Sequence, residues 1–235
     1  MVSYIPILTT IFTVFFTSIL WSHYRNDRSK KYVLWWALGV FVYGAGTLTE
    51  SLVTLFGWSS YFFKAWYITG AIYGGVMLAQ GSAVLLFKPN AARITSLLVI
   101  IVTVTASIFV LLSPLDLSKV EAHRLTGSVL VWKQVRYATP FINIYAFIIL
   151  VGGAIYSAIQ YAKKNMHGSL VKGNVLIAIG GLLPGIGGSF TKFGYTEVLY
   201  VCEFIGILFI YQGYKVIRNS KWETQSSNEL REARV

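Results

Sequence analysis

The sequence predicts an all-α polytopic integral membrane protein, a bundle of seven transmembrane helices with its N-terminus outside and its C-terminus in the cytoplasm. Three observations predict this class. The 235-residue chain is 55% hydrophobic and only 12% charged, whereas soluble domains average about 25% charged residues. Seven segments approach the roughly 20 apolar residues that a membrane-spanning helix needs. The basic residues are distributed unequally between the two sides that these segments define.

The seven predicted spans are mostly separated by short polar connections. They cover residues 4–21, 32–56, 62–87, 94–113, 140–161, 175–190 and 195–217. Residues 1–217 would then form one bundle, and residues 218–235 a short polar cytoplasmic tail. Ser226 and Glu229 have the spacing of a capping box, which predicts a short helix within that tail. The first span has no preceding basic region, which favours a retained helix over a cleaved signal peptide.

The sixth span is the shortest and has an unusual composition. It contains GGLLPGIGG at residues 180–188. Pro184 predicts a kink, and the glycines allow a neighbouring helix to approach closely.

Lysine and arginine residues predict the orientation of the bundle. If the N-terminus is outside, 14 of the 20 basic residues lie on the cytoplasmic side and six on the outer side. Basic residues are in excess in cytoplasmic loops, so this distribution favours the outer N-terminus. The net charge of +11 then reflects topology and contacts with anionic headgroups on the cytoplasmic side, and no nucleic-acid partner is predicted.

One long connection, residues 114–139, lies on the predicted outer side. Its LSKVEAHRL segment is compatible with a short interfacial helix, and its SVLVWKQVRY segment partly alternates, as in a short strand. A solvated loop and a lid over a pocket are both open interpretations of the whole connection.

Three ionisable residues are predicted within the outer half of the membrane. Glu50 and Glu203 lie about six and eight residues from the outer ends of spans two and seven, which corresponds to about 9 and 12 Å. Lys64 begins span three near the same level. Because an unpaired charge in hydrocarbon costs about 2.5–3.5 kcal/mol, we expect Lys64 to pair with Glu50 or Glu203.

Polar, aromatic and small residues share one face of spans two, three and seven, which predicts that these faces line the bundle interior. The candidate site comprises Glu50, Lys64, Glu203, Tyr43, Trp66, Tyr73, Gln80 and Tyr200. These residues form either a structural cluster that fixes helix packing or a site for a ligand, an ion or a proton. For Gln80 the structural interpretation, an interhelical hydrogen bond, is favoured.

The sequence lacks the patterns of several well-known classes. There is no HExxH, Walker or Gly-x-Ser-x-Gly motif, and the single cysteine and three histidines have no metal-binding spacing, so no metal site is predicted. Microbial rhodopsins also have seven spans, but they hold retinal on a lysine in the middle of span seven. Here span seven has only Lys215, at its cytoplasmic end. The sequence therefore predicts neither retinal nor another cofactor.

Spans two and three contain a distinctive block of residues. It consists of Glu50, GWS at 57–59, FK at 63–64, WY at 66–67, GA at 70–71, LA at 78–79 and Gly81. This block resembles an uncharacterised family of prokaryotic seven-span membrane proteins. The resemblance implies a multi-pass protein of the cell membrane, the prokaryotic inner membrane. It lends weight to Glu50 and Lys64, and it implies no reaction.

Two functions from different classes fit the sequence. The first is a non-enzymatic sensor or binding protein that holds a small apolar or amphipathic ligand among spans two, three and seven. The alternative is a secondary transporter or proton-coupled carrier in which Glu203 titrates and the sixth span moves against the seventh. An enzyme comes third, because no nucleophile–base pair is visible. Besides membrane lipids, the expected partners are a separate signalling protein or a second copy of the chain.

Overall fold

The structure of the protein is a computed structural model, which describes residues 2–121, 125–166, 168–191 and 193–232. Within these residues, seven helices are long and apolar enough to cross a membrane. They are α1 (Val2–Asn26), α2 (Lys31–Phe56), α3 (Ser60–Leu86), α4 (Pro89–Leu112), α5 (Lys133–Lys163), α6 (Gly168–Thr191) and α7 (Thr196–Glu232). All seven predicted spans are therefore confirmed as helices, in a fold compatible with a multi-pass membrane protein.

Several helices extend beyond the predicted apolar segments. α4 begins at Pro89 rather than at residue 94, because proline fits the first turn of a helix, where the backbone N–H has no partner in any case. α5 begins at Lys133 rather than at residue 140, and Pro140 lies inside it. In these two helices hydropathy located the apolar middle and missed the polar first turns.

The last helix, α7, continues well beyond its apolar segment. It runs unbroken from Thr196 to Glu232, where the sequence predicted an end at residue 217 and a separate short helix in the tail. No glycine or proline occurs between residues 218 and 232, so this stretch carries no signal that would stop the helix.

The bundle has two ends, an N-terminal face where α1 begins and a C-terminal face where α1 ends. At the N-terminal face, the Thr54 hydroxyl near the end of α2 donates to the Ser3 carbonyl at the start of α1, at 3.3 Å. At the C-terminal face, His23 Nδ1 near the end of α1 and the hydroxyl of Tyr214, in the middle of α7, lie 2.8 Å apart. Helices that follow each other through a short connection are antiparallel, and only α4 and α5 are joined by a long connection, residues 113–132.

Glycine pairs bring α6 and α7 into close contact. A Cβ atom built on Gly180 would lie 2.5 Å from the Gly206 carbonyl oxygen, and one built on Gly213 would lie 2.5 Å from the Gly173 carbonyl oxygen. Neither position has room for a larger residue. The predicted role of the sixth-span glycines in close helix packing is confirmed for Gly180.

Two helices contain a π-helical turn, Tyr67–Tyr73 in α3 and Ile148–Gly152 in α5. Such turns are rare inside α-helices and frequently lie at functional sites. The hydrophobic pattern of the sequence gave no sign of either turn.

Apolar side chains are distributed as in a helix bundle surrounded by lipid. The most deeply buried ones include Phe16, Leu20, Val33, Val40, Phe63, Ile72 and Ile207. Large apolar side chains also point outward, and on α4 these include Ile94, Leu97, Leu98, Ile101 and Leu111. An outward-facing apolar surface of this extent is compatible with a bilayer as the surrounding solvent.

The connection between α4 and α5 packs against the bundle. Leu115 and Leu130 form an isolated antiparallel bridge, and Leu117–Lys119 and Gly127–Val129 form 3₁₀ turns. The expected strand is thus reduced to this single bridge. The expected interfacial helix falls partly on residues 122–124, which lie outside the described residues. Val129 and Leu130 are buried, so this part of the connection is not a freely solvated loop.

Asp116 anchors the exposed part of the same connection. Its carboxylate lies 2.7 Å from the Lys119 ammonium and accepts a hydrogen bond from the Ser118 hydroxyl at 2.6 Å. These two contacts, with Lys119 first, hold the pKa of Asp116 below its ordinary value.

Candidate functional site

Two glutamates from different helices, one buried and one partly buried, face each other in the half of the bundle near the N-terminal face. Glu50 of α2 is only 3% exposed, and its carboxyl group lies beside the Glu203 carboxyl group on α7. The indole N–H of Trp66 donates to Glu50 Oε1 at 3.0 Å. Two of the other oxygens, Glu50 Oε2 and Glu203 Oε2, are buried and accept no hydrogen bond from the described residues.

The α2–α3 hairpin brings Glu50 and Trp66 to the same level. Gly57 ends α2 with a φ of +84°, a conformation that favours glycine. Ser59 then caps α3 by accepting a hydrogen bond from the Phe62 N–H at 3.2 Å. Glu50 lies seven residues before Gly57, and Trp66 seven residues after Ser59. Each is therefore about two helical turns from the hairpin, so the two side chains can meet.

A second hydrogen bond joins α7 to α2 farther from the α2–α3 hairpin. The Tyr43 hydroxyl donates to the backbone carbonyl of Glu203 at 3.1 Å. Tyr43 lies on the same face of α2 as Glu50, two turns away. Two contacts thus fix the glutamate pair: the Tyr43 hydroxyl joins α2 to α7, and the Trp66 indole joins α3 to Glu50.

The glutamates line a cavity of about 760 Å³. Its walls come from α2, α3, α5, α6 and α7, and Thr126–Ser128 of the α4–α5 connection complete it. Its aromatic and polar wall residues include Tyr43, Trp66, Tyr67, Phe147, Arg136, Thr139 and Asn143. Gly127 packs directly on the Tyr67 ring, so the connection covers part of the cavity, as the lid interpretation expected.

The structure brings four of the eight predicted residues to this cavity, Tyr43, Glu50, Trp66 and Glu203. Tyr200 is buried and Tyr73 partly buried, and both lie outside the cavity wall. Gln80 is buried and joins three helices: its amide donates to the Ser96 hydroxyl at 2.8 Å and accepts from the Tyr145 hydroxyl at 2.6 Å. The favoured structural interpretation of Gln80 agrees with these contacts.

The predicted ion pair between Lys64 and a glutamate does not form. The Lys64 ammonium instead donates to the Leu111 carbonyl at the end of α4, at 2.7 Å. Lys64 precedes Trp66 by two residues, which places the two side chains about 200° apart around α3. Trp66 therefore faces Glu50 while Lys64 faces α4, and the two salt bridges among the described residues both lie in connections between helices.

Sequence reasoning missed the contribution of α5. Arg136, Asn143, Phe147 and Leu150 all line the cavity, and they lie at i, i+7, i+11 and i+14, one face of a helix. Starting the fifth span at residue 140 removed the first of these positions and hid the pattern. Across the described residues, no group of three or more His, Cys, Asp or Glu side chains is arranged to hold a metal ion.

We expect Trp66→Phe to destabilise the protein by about 1–3 kcal/mol, because it leaves a buried carboxyl oxygen of Glu50 without its donor. Equilibrium unfolding in detergent measures the loss. In a Glu50→Leu background the same substitution should cost much less, so the double-mutant cycle should show coupling.

Trp58→Phe is the matched control. The Trp58 indole N–H is buried and makes no hydrogen bond to the described residues, so its removal breaks none. Equal losses for the Trp66 and Trp58 substitutions, or an undiminished loss in the Glu50→Leu background, would contradict the assigned hydrogen bond.

Comparisons of the chain with protein-family models, with curated proteins and with solved structures found no match. The resemblance of residues 50–81 to a prokaryotic seven-span family therefore stays a prediction, and any function must be argued from the site itself.

Proposed function

We propose that this chain is a non-enzymatic, small-molecule-binding membrane protein whose cavity takes an amphipathic cation with N–H donors. One observation carries the proposal: two buried carboxyl groups line the cavity, and each has an oxygen that accepts no hydrogen bond from the described residues. Amines and guanidines are the chemical classes that fit such oxygens best.

The Glu50–Glu203 end of the cavity supports a cation rather than an anion, whereas Arg136 lines another part of the wall. Adjacent carboxylates repel each other, and a buried acceptor without a donor is costly, so an ammonium or guanidinium group between Glu50 and Glu203 would relieve both penalties. A guanidinium can donate two parallel hydrogen bonds to carboxyl oxygens. The rings of Tyr43, Trp66 and Tyr67 in the same wall can stabilise a cation through their faces.

The size of the cavity supports a ligand larger than a simple ion. Its volume of about 760 Å³ lies within the range of roughly 300–1,000 Å³ that is typical of small-molecule sites. Most of its wall is aromatic, aliphatic or glycine, which suits the apolar part of an amphipathic molecule.

The length of α7 supports a sensory role for the same site. Glu203 lies near one end of this helix, and the helix continues without a break to Glu232. A rigid helix couples a displacement at Glu203 to the segment beyond Ser220, where a separate signalling protein or a second copy of the chain could respond.

The proposal includes the orientation of the bundle. We assign the N-terminal face to the outside of a prokaryotic inner membrane, because the excess of basic residues lies at the C-terminal face. Arg25, Lys31 and Lys163 at that face would contact anionic headgroups.

A second candidate, a secondary carrier, is favoured by a line of voids through the bundle. A cavity of about 540 Å³ opens at the C-terminal face, where Asp27, Lys30 and Arg218 line it. Between the two cavities lies an apolar neck of about 30 Å³, which shares Leu78, Leu150 and Ile210 with the first cavity and Trp36, Ser82, Ile177 and Tyr214 with the second. Apolar constrictions of this kind close translocation pathways.

Benzylguanidinium is a suitable probe for binding. We expect it to raise the unfolding temperature of the detergent-solubilised protein, and the shift should reach a plateau as the concentration of the compound increases. Benzylurea, its uncharged analogue of similar shape, should not. The shift should disappear in the Glu50→Gln/Glu203→Gln variant and persist in Glu197→Gln, which alters an exposed carboxyl on the same helix. An equal shift with benzylurea, or no shift with either compound, would refute a cation site.

Flux distinguishes a carrier from a sensor. A carrier should move labelled benzylguanidinium into proteoliposomes faster than into protein-free liposomes. Ser82→Leu should abolish this uptake because the new side chain fills the neck, whereas Ser157→Leu, which alters only the second cavity, should retain it. Binding without any uptake by the unmodified protein would exclude the carrier and leave the sensor.

A further inference from the structure

We infer that the cavity has a lateral opening between α5 and α6, through which a single-chain amphiphile with a cationic headgroup reaches the glutamates while its alkyl chain stays between these two helices. This inference rests on the proposed cation site and adds the class of ligand and its route.

The first support is the way α5 and α6 diverge. α5 packs on α6 along Ile148–Lys163, whereas its first half, Lys133–Phe147, makes few contacts with α6. The divergence begins at the π-helical turn Ile148–Gly152. It leaves a cleft in the half of the bundle that contains the cavity.

The second support is the exposure of residues that also line the cavity. Pro140 and Phe147 on α5 and Gly185 on α6 are exposed, Gly188 on α6 is partly exposed, and all four belong to the cavity wall. A wall residue that is also exposed marks an opening. These residues lie on adjacent helices within spans, so the opening points sideways toward the surrounding lipid rather than along the helix axes.

The third support is the empty space at the two glycines. A Cβ atom built on Gly185 or on Gly188 would meet nothing within 4 Å. The glycines that pack α6 on α7 behave in the opposite way, since Gly180 and Gly187 have backbone atoms of α7 within 2.9 Å of such a Cβ. One face of α6 is therefore closed by α7, and the other is left open.

The chemistry along the cleft matches an amphiphile. Its outer part contains Pro140, Phe147, Gly185 and Gly188, whose apolar and glycine surfaces suit an alkyl chain, with Asn143 and Ser189 beside them. Its inner end is the Glu50–Glu203 pair, whose oxygens suit a cationic headgroup. An amphiphile in a leaflet already lies parallel to the helices, so it reaches the cavity without passing through water.

A pair of guanidinium probes with different chain lengths tests this inference in lipid nanodiscs. Octylguanidinium carries an alkyl chain, and methylguanidinium serves as the reference without one. Each buried methylene contributes about fourfold in affinity. Gly188→Leu places a side chain in the cleft, so it should weaken octylguanidinium binding about tenfold more than methylguanidinium binding. Gly168→Leu is the matched control, an exposed glycine on the same helix that has open space and lies outside the cavity wall, and it should leave both affinities unchanged.

Unmodified protein gives an independent readout that does not depend on the folding of a variant. Octylguanidinium with a photoreactive diazirine at the chain end should label α5 or α6 near Phe147 and Gly185. Labelling confined to other helices would overturn the lateral opening, as would equal effects of Gly188→Leu on both probes. In both cases, if methylguanidinium still binds the unmodified protein, the proposed cation site stands and only the lateral opening is overturned. Absence of binding by both probes to the unmodified protein would overturn the cation site and the opening together.

Discussion

Burying a carboxyl group away from water is unfavourable unless donors surround it. In this bundle two such groups, Glu50 and Glu203, are placed against each other, and among the described residues one indole N–H reaches them. The rest of the structure must supply the stability that this pair does not. Glycine contacts between α6 and α7 and the apolar middle of the bundle do so. The pair is therefore a site that a bound donor would complete.

The helices around the pair combine rigid and irregular parts. α2 and α7 are regular through the site, and the Tyr43 hydroxyl joins them. α3 and α5, on the other side of the cavity, each contain a π-helical turn. The regular helices hold the carboxyl groups in place, and the irregular ones form much of the remaining cavity wall. In the proposed function, one wall of the cavity carries the polar chemistry while another opens toward lipid.

The sequence was sufficient for the number of apolar helices and for the position of Glu50 and Glu203 on the interior faces of α2 and α7, because these follow from hydropathy and helical periodicity. The predicted partner of Glu50, Lys64, was wrong. Lys64 was predicted because opposite charges attract each other. In the structure Lys64 lies on the face of α3 that points toward α4, and Trp66 lies on the face that points toward the Glu50 carboxyl group. The role of α5 and the cleft beside α6 depend on a π-helical turn and on the divergence of two helices, and neither has a periodic signature.

The central claim is that Glu50 faces Glu203 while Lys64 does not. A short bifunctional thiol reagent tests it most directly, in a Cys202→Ser background that removes the one native cysteine. Protein carrying Glu50→Cys and Glu203→Cys should yield a cross-linked peptide pair from α2 and α7 by mass spectrometry. Protein carrying Lys64→Cys and Glu203→Cys should not. A cross-link from position 64 to position 203, with none from position 50, would contradict the arrangement on which the site, the ligand class and the lateral opening all depend.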